Sequence, residues 1–297
     1  MKCPVCSNKQ GFKPLSPEVC IAPNFLCPTC GLVFISRNEG AAEQYYKNDG
    51  YFKKSLNFAY RKKLISKSLL VKEAGERVAN ALSMLSADLG NKNVLDVGCG
   101  YGEILYCFEK NHGCQVQGVE ASREASQHGK KLFDIPIHTT TLEEFDTREK
   151  FDIVWCSHVL EHTSDPKTFL KKVKAVLKKG GQLYLEVPNI LKPSGNFDLD
   201  MFLHKEHLQT FSVYNLCLLL SKTGFKVMTY SDSTFLKFWC RPSRNQSIQI
   251  PKITSRETFA FLKKYKKEYN LASHTKVYLQ KALYGAKLIL YKTRDVF

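Results

Sequence analysis

Long hydrophobic runs are absent from this 297-residue chain. The longest uninterrupted apolar cluster, residues 216–220, is far short of the ~18 residues a membrane-spanning helix needs. The opening Met1-Lys2-Cys3-Pro4 has no apolar signal core, so a cytoplasmic protein is expected. Acids are scarce beside bases: 28 Asp and Glu against 44 Lys and Arg give a formal net charge of +16. A balance of that sign attracts an anionic partner, such as RNA, a nucleotide-linked substrate or an acidic membrane face. The lysines are scattered over several segments, so nucleic acid is a possible substrate but not the favoured one. Core material is ample, with 43% hydrophobic residues, enough for one large domain or a main domain with small additions. Eleven cysteines in a cytoplasmic chain do not make a disulfide framework.

The chain is organised around Val94-Leu95-Asp96-Val97-Gly98-Cys99-Gly100-Tyr101-Gly102. Apolar residues that suit a buried parallel strand run into a glycine-rich turn, and a helical pattern follows with Ile104, Leu105 and Phe108. Glycines there let the backbone turn sharply and approach a ligand closely. The following helix adds free N–H donors and a positive dipole end. The spacing G-x-G-x-G lacks the phosphate-cradling G-x-G-x-x-G of a dinucleotide site. Asp96, at the strand end, would repel a pyrophosphate and suits a ligand with an ammonium group. A second strand, 115–119, ends in Glu120, placed to accept hydrogen bonds from both hydroxyls of a ribose. An amino acid at one end and a ribose at the other describe S-adenosylmethionine.

Cys3-Pro4-Val5-Cys6 and Cys27-Pro28-Thr29-Cys30-Gly31 form two C-x-x-C turns 20 residues apart, the spacing of a four-cysteine zinc site. Four thiolates leave no open position, so this Zn2+ is expected to be structural. Residues 1–38 read as a zinc ribbon whose few apolar residues are too few for a core of their own, leaving the metal to supply the folding energy. Cys20 is a spare ligand candidate, and Cys99, Cys107, Cys114, Cys156, Cys217 and Cys240 read as small buried fillers. Residues 39–90 begin with an aromatic stretch, 45–60, that serves as a lid or as packing, and continue as amphipathic helix. The main domain is expected over 91–245. Its strands are 93–97, 115–119, 135–138, 151–158, 182–187, 225–230 and 234–240, with Asp165 as N-cap and Pro166 as first residue of a helix to 177. Alternating strand and helix give an α/β fold with a sheet covered on both faces and a ligand at the strand ends. Residues 246–297 read as a basic tail of two helices, 255–270 and 272–292, whose default is a solvated basic face.

V-L-D-V-G-C-G-Y-G at 94–102, the acid at 120, F-D-I-V-W-C-S-H-V-L-E-H at 151–162 and L-K-K-G-G-Q-L-Y-L-E-V-P-N at 177–189 resemble the class I S-adenosylmethionine-dependent methyltransferases. The cysteine pattern and H-L-Q-T-F-S-V-Y-N-L-C-L-L-L-S-K-T-G-F-K-V at 207–227 are similar to the branch with a zinc ribbon in front. The resemblance implies a Rossmann-like, doubly wound sheet of seven strands, ordered 3-2-1-4-5-7-6 with strand seven antiparallel. It places Asp96, Gly98, Cys99, Gly100 and Tyr101 at the methionine moiety, and Glu120, Ala121 and Ser122 at the ribose. Leu142 and Glu143 would flank the adenine, with Ser157 and His158 under the methyl group. Ribbon-bearing relatives include sugar methyltransferases. The longer sugar C-methyltransferases among them carry a further carboxy-terminal domain, where this chain has the basic helical tail.

A sulfonium methyl is already a good electrophile, so the protein must align acceptor, methyl and sulfur, and remove a proton from a hydroxyl nucleophile. Candidate bases are His204, then His207 and His162. The expected reaction is O-methylation of a sugar-like or other small-molecule acceptor. RNA methylation, C- or N-methylation of a nucleotide-linked sugar, and cofactor binding without catalysis are the alternatives.

Overall fold

The computed structural model describes residues 1–36, 47–48, 66–85, 90–194, 198–243 and 250–272. The expected aromatic lid and the second tail helix lie outside the described residues. The described chain forms two compact units, one from residues within 1–43 and 156–272, the other from residues within 44–155.

The second unit begins with helix α1 (Lys67–Leu82), capped by the Ser66 hydroxyl, which accepts the Leu69 N–H. Leu69, Leu70, Ala74, Val78 and Ala81 recur at three and four and form its buried face. Strand β4 (Asn93–Val97), helix α2 (Glu103–His112), strand β5 (Gln115–Glu120), helix α3 (Arg123–Phe133) and strand β6 (Ile137–Thr139) follow. β4, β5 and β6 pair in parallel, Asp96 opposite Gly118 and Gly118 opposite Ile137. β7 (Phe151–Ser157) is buried along most of its length, as a central strand requires.

In the first unit, β8 (Leu177–Pro188) follows helix α4 (Pro166–Val176), and Asp165 caps that helix by accepting the Lys167 and Thr168 N–H groups. Helix α5 (Val213–Thr223) starts with a reciprocal Ser212–Asn215 capping box and stops at Gly224 in the left-handed region. β9 (Phe225–Asp232) and β10 (Phe235–Pro242) form a hairpin, and β10 pairs antiparallel with β8, Phe238 opposite Leu185. The seven strands run β9-β10-β8-β7-β4-β5-β6 across the sheet, the expected order 3-2-1-4-5-7-6 with the seventh strand antiparallel.

Four expectations need correction. The fifth strand runs Leu177–Pro188 rather than 182–187, beginning where α4 ends, and Gly180 takes φ +84° within it. The ribbon has a packed core beyond its own few apolar residues. Its strands Lys13–Pro14, Asn24–Leu26 and Val33–Ile35 continue into a fourth, the two residues Gln209–Thr210. Leu15, Val19, Cys20, Leu26 and Val33 share one core with Ile190, Leu199, Phe202, Leu203 and Leu262. Leu262 belongs to the first tail helix, Ser255–Ala272, so that helix is not simply a solvated basic face. It buries an apolar stripe against the ribbon while Lys263, Lys264 and Lys267 face solvent. Of the six filler cysteines, Cys217 is only half-buried.

Candidate active site

In the second unit, the turn after β4 holds Gly98, Gly100 and Gly102 at φ +71°, +57° and +86°, a run that side chains would strain. Three acids gather there. Asp96 is buried and its carboxyl is held well above its ordinary range, by burial first and then by the charge of Glu103. Glu103, the first residue of α2, is raised by burial, and one of its carboxylate oxygens has no hydrogen-bond partner. Glu120 is raised by burial too, although it accepts the Gly100 N–H at 2.9 Å and the Ser122 N–H at 2.8 Å. Three carboxyls with displaced titrations around a cradle of bare backbone make a place short of positive charge. Glu103 was not singled out from the sequence, although an acid in a first helical turn beside the glycines is its signal.

The other expected cofactor contacts divide. Ser122 is buried and caps α3 through its bond to Ala125 N–H at 3.1 Å. Ala121 is half-buried beside it, Leu142 is buried and Glu143 is exposed. The Cys99 thiol packs into the sheet, 2.5 Å from where a Cβ on Gly118 would stand, so only its backbone faces the turn. The Tyr101 ring is buried and lies 5.3 Å from the His128 ring.

In the first unit, the strand-end residues Ser157 and His158 lead into a turn at Leu160–His162. His158 takes φ +56°, uncommon for a residue with a side chain. Its imidazole lies 3.3 Å from Glu161 and 3.1 Å from Glu186. Burial alone would lower that imidazole, but the two carboxylates hold it up at about 9, charged at neutral pH. Glu186 also accepts the Ser157 hydroxyl at 3.1 Å and the Tyr184 hydroxyl at 2.7 Å. Burial would raise Glu161, but the charged His158 beside it keeps its carboxyl below its ordinary value.

The three expected bases come together. The ring centres of His204 and His207 are 3.9 Å apart, and those of His162 and His207 are 4.8 Å apart. Nδ1–H of His162 donates to the Glu206 carbonyl at 2.8 Å and that of His207 to the Phe202 carbonyl at 2.6 Å. Burial lowers both imidazoles, His207 to about 3, so they are neutral at pH 7. His204 differs: its Nδ1 lies 2.9 Å from the Glu206 carboxylate, and its side chain is 35% exposed against 15% for His162. Glu206, which orients His204, escaped the sequence reading, although it stands two residues away. Glu161, His162 and His207 place a carboxylate oxygen and two ring nitrogens within 4.8 Å of one another, a set able to share a proton or hold a cation.

The four expected metal cysteines converge as well, their sulfur atoms all within 4.8 Å, with Cys3 to Cys30 at 3.6 Å and Cys6 to Cys27 at 3.4 Å. A tetrahedral zinc with arms of about 2.3 Å needs sulfur separations of about 3.8 Å, so the donors fit that ion. Hydrogen bonds from Cys3 and Cys30 lower the Cys27 thiol to about 2, and donating to Cys27 raises Cys3 to about 12.

A Rossmann-like sheet in this strand order, with acids and glycines at the ends of its first two strands, defines a class I methyltransferase. A family model described as a methyltransferase domain matches residues 70–230, more than half the chain, and the chain belongs to that family as an S-adenosylmethionine-dependent enzyme. It is 31% identical over 179 residues to a ubiquinone biosynthesis O-methyltransferase of Bradyrhizobium sp., a match covering 53% of this chain and 69% of that one. A Coxiella burnetii protein of the same name is 30% identical over 159 residues, 46% of this chain and 68% of that one. Solved structures share the fold. Magnesium protoporphyrin IX methyltransferase from Synechocystis, with bound S-adenosylhomocysteine, is 18% identical at TM-score 0.50, covering 65% of this chain and 97% of its own. The plantazolicin methyltransferase, also in complex with S-adenosylhomocysteine, reaches TM-score 0.52 at 16% identity, covering 69% and 95%. Among the described residues no helix is long and apolar enough to cross a membrane.

Proposed function

We propose that this methyltransferase transfers the methyl group of S-adenosylmethionine to a hydroxyl of a small molecule, with His204 as general base. The observation that carries the cofactor half is the trio Asp96, Glu103 and Glu120, whose carboxyls are all raised by burial and wait for a cation. Asp96 would take the ammonium of the methionine moiety and Glu120 the ribose hydroxyls, with Gly98, Gly100, Ala121 and Ser122 giving backbone room, and Leu142 and Glu143 beside the adenine. The donor supplies the methyl as an electrophile, so the remaining work is alignment and deprotonation. His204 is suited to the second task. Its Nδ1–H is committed to Glu206, its Nε2 can accept a proton, and Glu206 would steady the imidazolium that forms.

The buried His162 and His207 hold neutral rings behind it, and the charged His158 balances Glu161 and Glu186. Cys3, Cys6, Cys27 and Cys30 would hold a structural Zn2+, which with four thiolates takes no part in the transfer. The relatives named for ubiquinone biosynthesis O-methylation support an oxygen acceptor of small size. Incubation with methyl-labelled S-adenosylmethionine and two acceptors, catechol and a methyl hexoside, tests this. Label in an ether of either one is expected; label only in RNA, or on carbon of a nucleotide-linked sugar, would overturn the acceptor assignment.

A further inference from the structure

The segment carrying His204, Glu206 and His207 has little regular structure of its own, a single turn at Leu199–Met201 and the two paired residues Gln209–Thr210. It is held in place from the ribbon. The Ile21 N–H donates to Asp200 at 2.8 Å, the buried Asn24 amide donates to the Leu203 carbonyl at 2.9 Å, and the Ile35 N–H donates to the Leu208 carbonyl at 3.0 Å. Val33 and Phe34 pair antiparallel with Thr210 and Gln209.

Gln209 then reaches onward. It is fully buried, and its Nε2 donates to the Leu160 carbonyl at 2.6 Å and to the Thr163 carbonyl at 3.0 Å. Those carbonyls bracket Glu161 and His162. Two acceptors at one amide nitrogen fix its orientation, since a flipped amide would set oxygen against oxygen. One side chain thus joins the strand that the ribbon pairs with to the turn that carries His162, while the ribbon is tied to the segment that carries His204 and His207.

We propose that Gln209 is a positioning residue that transmits the order of the four-cysteine ribbon to the His162, His204 and His207 rings. A ribbon of this size draws much of its order from its metal. Loading of Cys3, Cys6, Cys27 and Cys30 therefore adds to the order that the shared core already gives the histidine segment, and the cradle at Asp96 and Glu120 is outside this chain of bonds. The inference rests on the histidine segment being the acceptor side only for its effect on transfer, not for the coupling itself.

The test uses the full chain with 15N-labelled histidine. Ring nitrogen shifts are recorded with the zinc-loaded protein, after removal of the metal by a chelator, and in Gln209→Met, which keeps the volume and removes both donated bonds. The expected result is a shift of the His162 and His207 ring signals in both perturbed samples. Affinity for S-adenosylmethionine should stay within twofold, and transfer to the acceptor that serves should fall at least tenfold. Chelation of Gln209→Met should add less than a further twofold to the His162 shift, where the link is already cut, while still moving His207, which the ribbon reaches through Asp200, Leu203 and Leu208. Unmoved ring signals after chelation would overturn the coupling, as would cofactor affinity lost in step with them, which reports general unfolding. Should Gln209→Met not fold, chelation of the natural chain decides by itself. Shifted rings with unchanged transfer would uphold the coupling and remove the acceptor assignment instead.

Discussion

Asp96, Glu103 and Glu120 in one unit and Glu161, Glu186 and Glu206 in the other are two sets of sequestered acids settled by opposite means. The first set has backbone N–H donors at Glu120, and burial leaves all three titrations raised. The second set is matched to imidazoles: His158 lies between Glu161 and Glu186, and Glu206 binds His204. A place short of positive charge gains most when a cationic ligand enters it, whereas a place already neutralised from within is suited to moving a proton. That difference is why we propose cofactor binding at the glycine turn and acceptor chemistry at the histidines.

The comparison is broken most severely at His204. His204→Ala should lower kcat by about 10²–10⁴, the usual worth of a general base, with cofactor affinity unchanged by calorimetry. Loss of cofactor binding in that variant would place the residue in the wrong half. Asp96→Asn should do the reverse, weakening S-adenosylmethionine binding about ten- to hundredfold, the loss of roughly 1.5–3 kcal/mol for a bond to a charged group. Binding to the natural chain should also release protons, because a cation lowers carboxyls that burial had raised, so affinity should climb with pH. Calorimetry in buffers of different ionisation heat reads that release directly.

A purely structural lesion sharpens the contrast. A Cβ on Gly129, in α3, would run into the backbone of Tyr101, so Gly129→Ala should cost about 1–3 kcal/mol, lower the thermal midpoint and weaken cofactor binding through the turn while sparing the histidines. The smallest effect is the pH dependence of stability from the histidines. His158, ordinarily near 6.5, is held at about 9, so its contribution is fully present below 6.5 and disappears as the pH rises to 9. His207 is held down at about 3, so its contribution disappears as the pH falls from 6.5 toward 3. Their joint contribution should peak near 6.5, and His158→Gln should flatten the alkaline side of a melting-temperature profile.

The alternation of strands and helices, the caps at Asp165 and Gly224 and the acids at strand ends were legible because each depends on neighbours a few residues away, whereas the order of the seven strands came only through the family resemblance. Spacing of apolar residues, a proline after an aspartate and a glycine after a helix act locally, and so does C-x-x-C, which sets two sulfurs toward one centre. Glu103 and Glu206 had local signals that went unread, but Gln209 was harder, since nothing within a few residues reports that its side chain will be buried against carbonyls 46 and 49 positions away. The ribbon's shared core with Leu262 is the same case. Thus the sequence by itself determined the class of fold and the chemistry on offer at the turn, because short-range sterics and periodicity decide those. Only the tertiary structure decided which histidine stays exposed beside a carboxylate, which are buried and neutral, and what holds them. Burial and long-range hydrogen bonds set those properties, and both exist only once distant segments have packed.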